Sequence, residues 1–320
     1  MNLKTIADLA GVSVSTVSKA FSGSEEIGEK TRERIFKIAK ENGCFDKYNK
    51  NKFRKKIIGV ICPELESEYY TKIVTMLNEK ITANNGVMVC SVSEFSEDNE
   101  NEQFLYFSSY CKVDGVIIIG MHNRINNSIN IPTVAIGGKS ASPNIDTINT
   151  NIEAAVDEAV MHLKKKGHTK IAFVGENLTK GKLELFKSAM KKAELFVRPE
   201  YIKTSDKRFE EAGIKTTDEL LALSEPPSAI MAAYDYIAIG VAKSICEHGY
   251  KVGEDIAVVG MDDIGVVTYL DTPLSSIRTH IDEACAIAVD LIMKKLDNQY
   301  YSAKQRIEIQ SEFIIRASTD

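Results

Sequence analysis

The chain has 320 residues, of which 44% are hydrophobic and 27% are charged, and its formal net charge is −5 at pH 7. This length is more than one ordinary core needs and predicts two or three domains, with a composition typical of globular rather than disordered proteins. The N-terminus lacks the apolar segment of a secretory signal, and no apolar run approaches the roughly 18 residues that span a bilayer, which argues against export and membrane insertion.

Charge is unevenly distributed along the chain. Residues 1–56 hold 13 Lys or Arg against 7 Asp or Glu, whereas the remainder holds 27 against 38. A basic head on an acidic body predicts a nucleic-acid partner for the head alone.

The basic head begins with two short predicted helices. The first has apolar residues at helical spacing and ends at Gly11; these residues are Leu3, Ile6, Leu9 and Ala10. Ser13 is a suitable N-cap for a second helix, Val14 to about Phe21. The residues of that helix expected to face inward are Val14, Val17 and Ala20 or Phe21. Small polar and basic residues occupy its other face.

A third amphipathic helix is predicted from about Glu29 to Asn42. Its inward positions are Ile35, Ile38 and Ala39. Two short helices around a glycine turn, supported by a third, are typical of a helix-turn-helix, whose second helix enters the major groove of DNA.

Residues of the second helix are the candidates for reading bases. Lys19 suits the acceptors of guanine and Val14 suits a thymine methyl, with Ser15 between them. Hydroxyl groups around this helix are better placed to contact phosphates. Such contacts fix the position of the protein on the duplex but do not distinguish one base sequence from another. These predicted backbone contacts are Thr5, Ser13, Thr16, Ser18 and Thr31.

Residues 5–20, TIADLAGVSVSTVSKA, closely resemble the DNA-binding head of the lactose-repressor (LacI/GalR) family. Residues 29–35, EKTRERI, are similar to the start of that family's third helix. A three-helix unit unrelated to DNA is the alternative that the helical pattern alone leaves open. The resemblance implies that double-stranded operator DNA is the partner.

A cationic connector follows, in which six of the eleven residues 46–56 are Lys or Arg. Composition alone favours a solvated linker. In the family that the chain resembles, this segment becomes a helix on DNA and wedges apolar side chains into the minor groove, and Phe53 falls at the wedge position. Asp46 stands where these proteins often have proline, and the asparagines are poor helix formers, so a folded hinge helix stays open.

The remainder alternates short apolar strands with segments of helical length. The predicted strands are Ile57 to Cys62, Val87 to Val92, Gly115 to Ile119, Thr133 to Ile136, Lys170 to Val174, Ala229 to Ala232 and Ala257 to Gly260. This alternation predicts an α/β body of parallel sheets flanked by helices. Ligands of such sheets bind beyond the carboxyl ends of the strands.

The resemblance continues through the body, in family order. The similar segments are residues 58–61 (IGVI), 114–118 (DGVII), 167–175 (GHTKIAFVG), 258–263 (VVGMDD), 273–278 (PLSSIR) and 313–316 (FIIR). It implies a lambda-repressor-like three-helix domain followed by a two-lobed periplasmic-binding-protein-like (type I) domain, assembled as a homodimer without an added tetramerising helix.

The implied domains are a helix-turn-helix at residues 1–46, a linker at 47–56 and an effector-binding and dimerisation domain at 57–320. In the last, the first lobe takes residues 57–148 and 279–307, and the second takes 149–278 and 308–320. The crossings between lobes are expected near residues 147–149, 278–280 and 307–308.

The resemblance also places eight residues in a cleft between the lobes: Ser67, Tyr69, Tyr70, Lys182, Phe209, Tyr234, Asp235 and Asp262. Aromatic faces with a few carboxylates suit a polyhydroxylated ring, although each tyrosine could instead pack at a lobe surface. Sugar-binding members usually carry Arg, Asn and Asp where this chain has Lys182, Tyr234 and Gly137, which changes the hydroxyl pattern accepted. His122, Asn123 and Arg124 could supply substitute polar contacts or form a solvated loop.

The sequence therefore predicts a cytoplasmic transcriptional repressor of a carbohydrate-utilisation operon, controlled by a small-molecule effector that is a sugar. A non-sugar effector or a corepressor such as a nucleobase is the first alternative, and an exported sugar receptor is the second. The histidines show no metal spacing and no nucleotide-binding fingerprint is present, so we expect no enzyme, metal or cofactor. The six cysteines form no CxxC pair, which predicts free, buried thiols.

Overall fold

The computed structural model of the protein describes residues 2–24, 26–45, 55–121, 131–138, 145–297 and 303–320. The chain divides into two compact units, one formed by residues 1–57 with 85–87 and the other by residues 58–84 with 88–320. Within the described ranges, no helix is long and apolar enough to cross a membrane.

The N-terminal unit contains three helices: α1 (Leu3–Ala10), α2 (Val14–Phe21) and α3 (Glu29–Glu41). Gly11 ends α1 with a φ of +62°, a left-handed conformation that suits glycine. Ser13 caps α2, because its hydroxyl accepts a hydrogen bond from the Thr16 N–H. The buried core of the unit is formed by Ile6, Ala7, Ala10, Val17, Ala20, Phe21, Ile35, Phe36, Ala39 and Cys44.

Two residues of this unit that were expected to face inward are exposed instead. Leu9 is 57% exposed and Val14 is 44% exposed. In α1 the buried face is already completed by Ile6 and its neighbours, so Leu9 lies on the outer side. Val14 is the first residue of α2 and precedes the turn that packs against the core. Ile38 is half-buried, and Phe36, two residues earlier, is buried instead.

The strands of the larger unit are β1 (Lys56–Cys62), β2 (Gly86–Val92), β3 (Gly115–Met121), β4 (Thr133–Gly138), β5 (Asp146–Asn151), β6 (Ile171–Glu176), β7 (Ile202–Ser205), β8 (Ala229–Ala232), β9 (Ala257–Met261), β10 (Ser275–Arg278), β11 (Arg306–Gln310) and β12 (Glu312–Ile314). Its α-helices are α4 (Glu68–Ala83), α5 (Glu97–Leu105), α6 (Glu153–Lys165), α7 (Lys180–Lys192), α8 (Phe209–Leu221), α9 (Asp235–Glu247) and α10 (Ile281–Asp297). A π-helical turn, Tyr106–Tyr110, continues α5.

The strands form two six-stranded sheets, each the centre of one lobe. In the first lobe the order is β11-β5-β4-β3-β1-β2, and in the second it is β12-β10-β9-β8-β6-β7. Neighbours in the second sheet are parallel except for β10 and β12, which are antiparallel. The predicted fold class, an α/β body behind a helix-turn-helix, is confirmed.

The chain passes between the sheets at three places. It leaves the first sheet after β5, returns from the second after β10, and leaves again between β11 and β12. The intervening residues are Ile152, residues 279–280 and Ser311. Because these segments connect the lobes, they border the space between them.

The six cysteines are free thiols, as expected, but only half of them are buried. Cys90, Cys111 and Cys246 are exposed, so the prediction of buried thiols is wrong for these three. The prediction relied on apolar neighbours in the sequence, which do not determine whether a side chain is buried. Cys90, for example, lies on β2, an edge strand with exposed side chains.

Candidate functional site

The outer face of α2 carries the residues predicted to read bases. Val14, Ser15 and Lys19 are all exposed on it, as is Ser18. The Lys19 ammonium pairs with the carboxylate of Glu26, in the loop that follows α2. This face is narrow, mostly uncharged and made of small side chains, which suits close approach to base edges in a major groove.

The residues predicted to contact the DNA backbone surround this face. Thr5, Ser13 and Ser18 are exposed, whereas Thr16 and Thr31 are half-buried. The Ser13 and Thr16 hydroxyl oxygens lie 2.8 Å apart and hydrogen-bond to each other. The predicted wedge residue Phe53 lies outside the described residues, as do His122, Asn123 and Arg124.

A cavity of about 450 Å³ lies in the larger unit and is lined by residues of both lobes. All eight residues predicted for the cleft line it: Ser67, Tyr69, Tyr70, Lys182, Phe209, Tyr234, Asp235 and Asp262. They follow the carboxyl ends of β1, β6, β7, β8 and β9, because parallel strands bring the loops after them to one edge of a sheet. Whether they bind a ligand stays a prediction.

One wall of the cavity holds a lysine–aspartate pair. The Lys182 Nζ lies 3.6 Å from the Asp262 Oδ1 and donates a hydrogen bond to the Ala233 carbonyl at 2.9 Å. Asp262 has a φ of +101°, a conformation found mainly where surrounding structure imposes it. Burial raises the pKa of Asp262 above its ordinary 3.8, and Lys182 opposes that rise. The loop after β9 is thus held so that this carboxyl group faces the cavity.

A second polar pair, Arg208 with Glu176, lines the same cavity. Glu176 is buried at the end of β6, and its Oε1 lies 3.4 Å from the Arg208 Nε. The Arg208 guanidinium lies 4.4 Å from the ring centroid of Phe209 and 5.0 Å from that of Phe95. Phe95 belongs to the first lobe, so this arginine is in contact with rings of both lobes.

Aromatic rings cover much of the remaining lining. Tyr69 and Tyr70 have ring centroids 5.1 Å apart, and Tyr70 lies 5.9 Å from Phe95. Burial raises the pKa of the Tyr69 hydroxyl well above its ordinary 10, and Asp262 raises it further. Burial also raises the pKa of the Tyr234 hydroxyl, which accepts a hydrogen bond from the Phe209 N–H at 3.1 Å. These hydroxyls are therefore neutral donors at physiological pH.

Two further lining acidic side chains already have protein partners. Asp235 accepts a hydrogen bond from the Ile264 N–H at 2.8 Å and another from the Ser276 hydroxyl at 2.7 Å. Glu64 accepts one from the Ser67 hydroxyl at 2.6 Å, and its other oxygen accepts backbone N–H bonds from residues 66 and 67. Such saturated acceptors shape the walls of a cavity and have little capacity left for a ligand.

Comparison with known families agrees with this architecture. Residues 2–43 match the model of bacterial regulatory proteins of the lacI family, and residues 160–319 match that of the periplasmic binding protein-like domain. The chain belongs to the lacI family. It is a DNA-binding transcriptional repressor under small-molecule control.

Relatives of this lacI-family repressor match along nearly its whole length. It is 28% identical over 330 aligned positions to the HTH-type transcriptional repressor CytR of Escherichia coli (strain K12), covering 99% of this chain and 96% of that protein. Such relatives are transcriptional repressors and not enzymes.

Solved structures share the fold of the repressor. A lac repressor dimer bound to operator and the anti-inducer ONPF superimposes with a TM-score of 0.81 at 22% identity, covering 100% of this chain and 99% of that one. A complex of the transcriptional regulator CelR with cellobiose gives a TM-score of 0.72 at 20% identity, with 99% of both chains covered.

Sequence reasoning missed several lining residues of this lacI-family cavity: Glu64, Phe95, Glu176, Arg208, Tyr236 and Thr279. A signal existed for both residues: Glu176 lies two positions after the predicted strand that ends at Val174, and Arg208 directly precedes the predicted site residue Phe209. No signal existed for Phe95, which follows an edge strand and has a φ of +58°. Gly137, where sugar-binding members often have Asp, is not among the lining residues of the described chain.

Proposed function

We propose that this lacI-family repressor responds to an uncharged carbohydrate held in the cavity between its lobes. The observation that carries the proposal is the pairing of charges on the cavity walls. Lys182 is compensated by Asp262, and Arg208 is compensated by Glu176. An anionic ligand would have to displace one of these carboxylates, whereas hydroxyl groups can donate to the carboxylates and accept from the cations.

Aromatic rings supply the other half of the recognition. A sugar ring has apolar C–H faces between its hydroxyls, and such faces pack on aromatic side chains. We assign this stacking to Tyr69, Tyr70, Phe209 and Tyr234, and the polar contacts to Lys182 and Asp262. Ser67 and Asp235 hold the walls, since their polar atoms are engaged by the protein. The CelR complex, with its bound cellobiose, supports a sugar in a fold of this kind.

For the DNA-binding head we propose that Val14, Ser15 and Lys19 contact bases. The support is their common exposure on one face of α2. Thr5, Ser13, Thr16, Ser18 and Thr31 are assigned to phosphates, and Phe53 to a minor-groove wedge. We further propose the boundaries 1–46 for the head, 47–56 for the linker and 57–320 for the body, with the lobe limits given above.

We also propose that the repressor acts as a cytoplasmic homodimer. A DNA partner supports a cytoplasmic location, and the lac repressor of similar fold, a dimer bound to operator, supports a dimer. The first lobe offers an apolar surface for a second copy beside its edge strand β2. Exposed side chains on that surface include Val89, Val92, Leu105, Tyr106 and Tyr110.

The effector assignment is tested by the thermal stability of the full chain in the presence of neutral sugars, uronic acids, sugar phosphates and nucleobases. A ligand raises the melting temperature by mass action whatever its chemistry. We expect a neutral sugar to stabilise the protein, and Asp262→Asn to weaken its apparent affinity by about tenfold, as for a lost charge-assisted hydrogen bond. Operator binding without effector should be unchanged.

Asp206→Asn is the matched control, because it removes the same charge from an exposed ion pair with Lys215 and Asp206 does not line the cavity. It should respond to sugars like the unaltered protein. Stabilisation by a sugar phosphate or a uronic acid alone would contradict the neutral-sugar assignment. Stabilisation by a nucleobase alone would support the alternative class of effector.

A further inference from the structure

The loop between α2 and α3 is fixed by an arginine of α3. The Arg32 guanidinium donates hydrogen bonds to the Ser24 carbonyl at 2.6 Å and to the Ile27 carbonyl at 3.3 Å. The Ser24 N–H in turn donates to the carbonyl of Lys19 at 3.1 Å. Because both ends of the loop are tied to the helices beside it, the Glu26 side chain within it has a defined position relative to the outer face of α2.

One of these loop side chains is a carboxylate paired with the proposed base-reading lysine. The Glu26 carboxylate forms an ion pair with the Lys19 ammonium, and the two side chains are 68% and 47% exposed. An ion pair this exposed contributes little to folding stability. The ion pair lies on the surface that we propose contacts DNA, so it is expected to affect DNA binding more than folding.

We infer that Glu26 is a positioning residue that determines the sequence specificity of the repressor by restraining Lys19. A guanine offers Lys19 two acceptors, N7 and O6, whereas a phosphate oxygen is available at any sequence. Because guanine is uncharged, Lys19 can donate one ammonium hydrogen to it while another stays on Glu26. Moving to a phosphate instead breaks the ion pair and brings two anions close together, so Glu26 disfavours the phosphate contact.

This inference rests on the proposed base contact of Lys19 and deepens it. Without the carboxylate, Lys19 would be free to neutralise a phosphate on any duplex. Random DNA would gain a contact, while a duplex with the preferred guanine would gain little. Removal of Glu26 would therefore raise affinity and reduce discrimination together.

The test compares Glu26→Gln with the unaltered full-length protein on two duplexes, one selected by the protein from a random library and one of random sequence. We expect binding to random duplex to tighten about fivefold, with a salt dependence about one unit steeper, because one more phosphate is neutralised. Binding to the selected duplex should change less than about twofold, so discrimination falls. Glu26→Asp, which keeps the charge, should restore much of the discrimination.

Glu41→Gln is the matched control. It removes the same charge from the same unit, from an exposed pair with Lys37 on α3. It should shift affinity for both duplexes equally and leave their ratio unchanged. In a Lys19→Ala background, Glu26→Gln should no longer alter the ratio, as a double-mutant cycle requires for coupled residues.

Two results would overturn the inference, and they are distinguishable. If Glu26→Gln leaves the ratio of affinities unchanged while Lys19→Ala alters base preference, Lys19 reads a base without restraint by Glu26. If Lys19→Ala itself leaves base preference unchanged over a panel of substituted duplexes, the proposed base contact fails and the inference fails with it. Thermal unfolding of each variant establishes that the head remains folded.

Discussion

Asp235 is a single buried residue that connects several segments of the second lobe beside the cavity. It is the first residue of α9, and its two oxygens accept hydrogen bonds from the loop after β9 and from β10. Burial raises its pKa well above the ordinary 3.8, and the neighbouring Asp262 raises it further. The residue therefore links three segments of the second lobe while resisting ionisation.

The raised pKa of Asp235 predicts how the stability of the folded protein changes with pH. Above pH 4 the unfolded chain loses this proton while the folded chain retains it, so the folded state binds more protons. The contribution of Asp235 to the free energy of unfolding is therefore greatest at low pH and falls as pH rises through the raised pKa. Asp235→Asn cannot titrate, yet its amide can still accept from Ile264 and donate to Ser276.

We expect the difference in unfolding free energy, unaltered protein minus Asp235→Asn, to fall as pH rises above about 4 and to level off once pH exceeds the raised pKa. Urea unfolding followed by circular dichroism at several pH values measures it. Asp290→Asn, which alters an exposed pair with Lys294, controls for the loss of a carboxylate. A difference that stays constant with pH would show that the pKa of Asp235 is not raised in the folded protein, and a difference that rises with pH would show that it is lowered.

Helices α8 and α9 approach each other unusually closely, at two glycines. A Cβ atom at Gly213 would lie 2.2 Å from the Ile237 carbonyl oxygen, and one at Gly240 would lie 2.2 Å from the Glu210 carbonyl oxygen. In both cases the obstacle is backbone, which cannot rotate away. This packing matters for the cavity, because Phe209 begins α8 and Asp235 begins α9.

We therefore expect Gly240→Ala to destabilise the larger unit by about 1–3 kcal/mol, the usual cost of overpacking a core. It should also weaken the response to effector, since the two helices must separate. Gly181→Ala is the control for stability alone, because Gly181 lies within α7 and a Cβ there meets no atom within 4 Å, although the residue also lines the cavity. That change should be neutral or stabilising by up to about 1 kcal/mol.

Thermal unfolding of the two variants, each with and without ligand, measures both effects. Equal melting temperatures for Gly240→Ala and the unaltered protein would mean that the helices separate at little cost. A destabilised Gly181→Ala would instead mean that alanine at any helical glycine of this lobe is harmful.

At the level of elements, the strands that could be predicted are the apolar ones. The seven predicted strands all exist, with ends within about two residues of those expected. Five others were missed because polar residues interrupt their hydrophobic pattern: β5, β7, β10, β11 and β12. In β10, for example, Ser275 and Ser276 are buried but are satisfied by Ser318 and Asp235, partners distant in the chain.

In the candidate site, too, some residues could be predicted from the sequence and others could not. Its eight predicted residues could be placed because a family resemblance supplied their positions. Glu176 and Arg208 could not be identified as a pair, since they meet only through the packing of β6 against the segment before α8. Phe95 could not be placed at all, because its position depends on a left-handed turn and on the approach of the other lobe.

At the scale of the larger unit, a cation–π contact and a hydrogen bond between described residues connect the lobes beside the cavity. The Arg208 guanidinium lies 5.0 Å from the ring centroid of Phe95, and the Gly265 N–H donates to the Glu68 Oε1 at 2.9 Å. Arg208 and Phe95 line the cavity, whereas Glu68 does not. Both contacts connect the two lobes and favour the arrangement of the lobes seen in this structure.

Since a cation–π contact contributes about 0.5–1 kcal/mol, Arg208→Met should shift the effector-free population toward open lobes by about two- to fivefold. Arg198→Met is the matched control, because Arg198 lies over Tyr201 at 5.4 Å within the second lobe alone. Small-angle X-ray scattering of the effector-free protein should show a larger radius of gyration for Arg208→Met than for Arg198→Met. Glu68→Ala should act in the same direction without touching the cavity, so an unchanged radius in both Glu68→Ala and Arg208→Met would mean that lobe closure does not depend on these bridges.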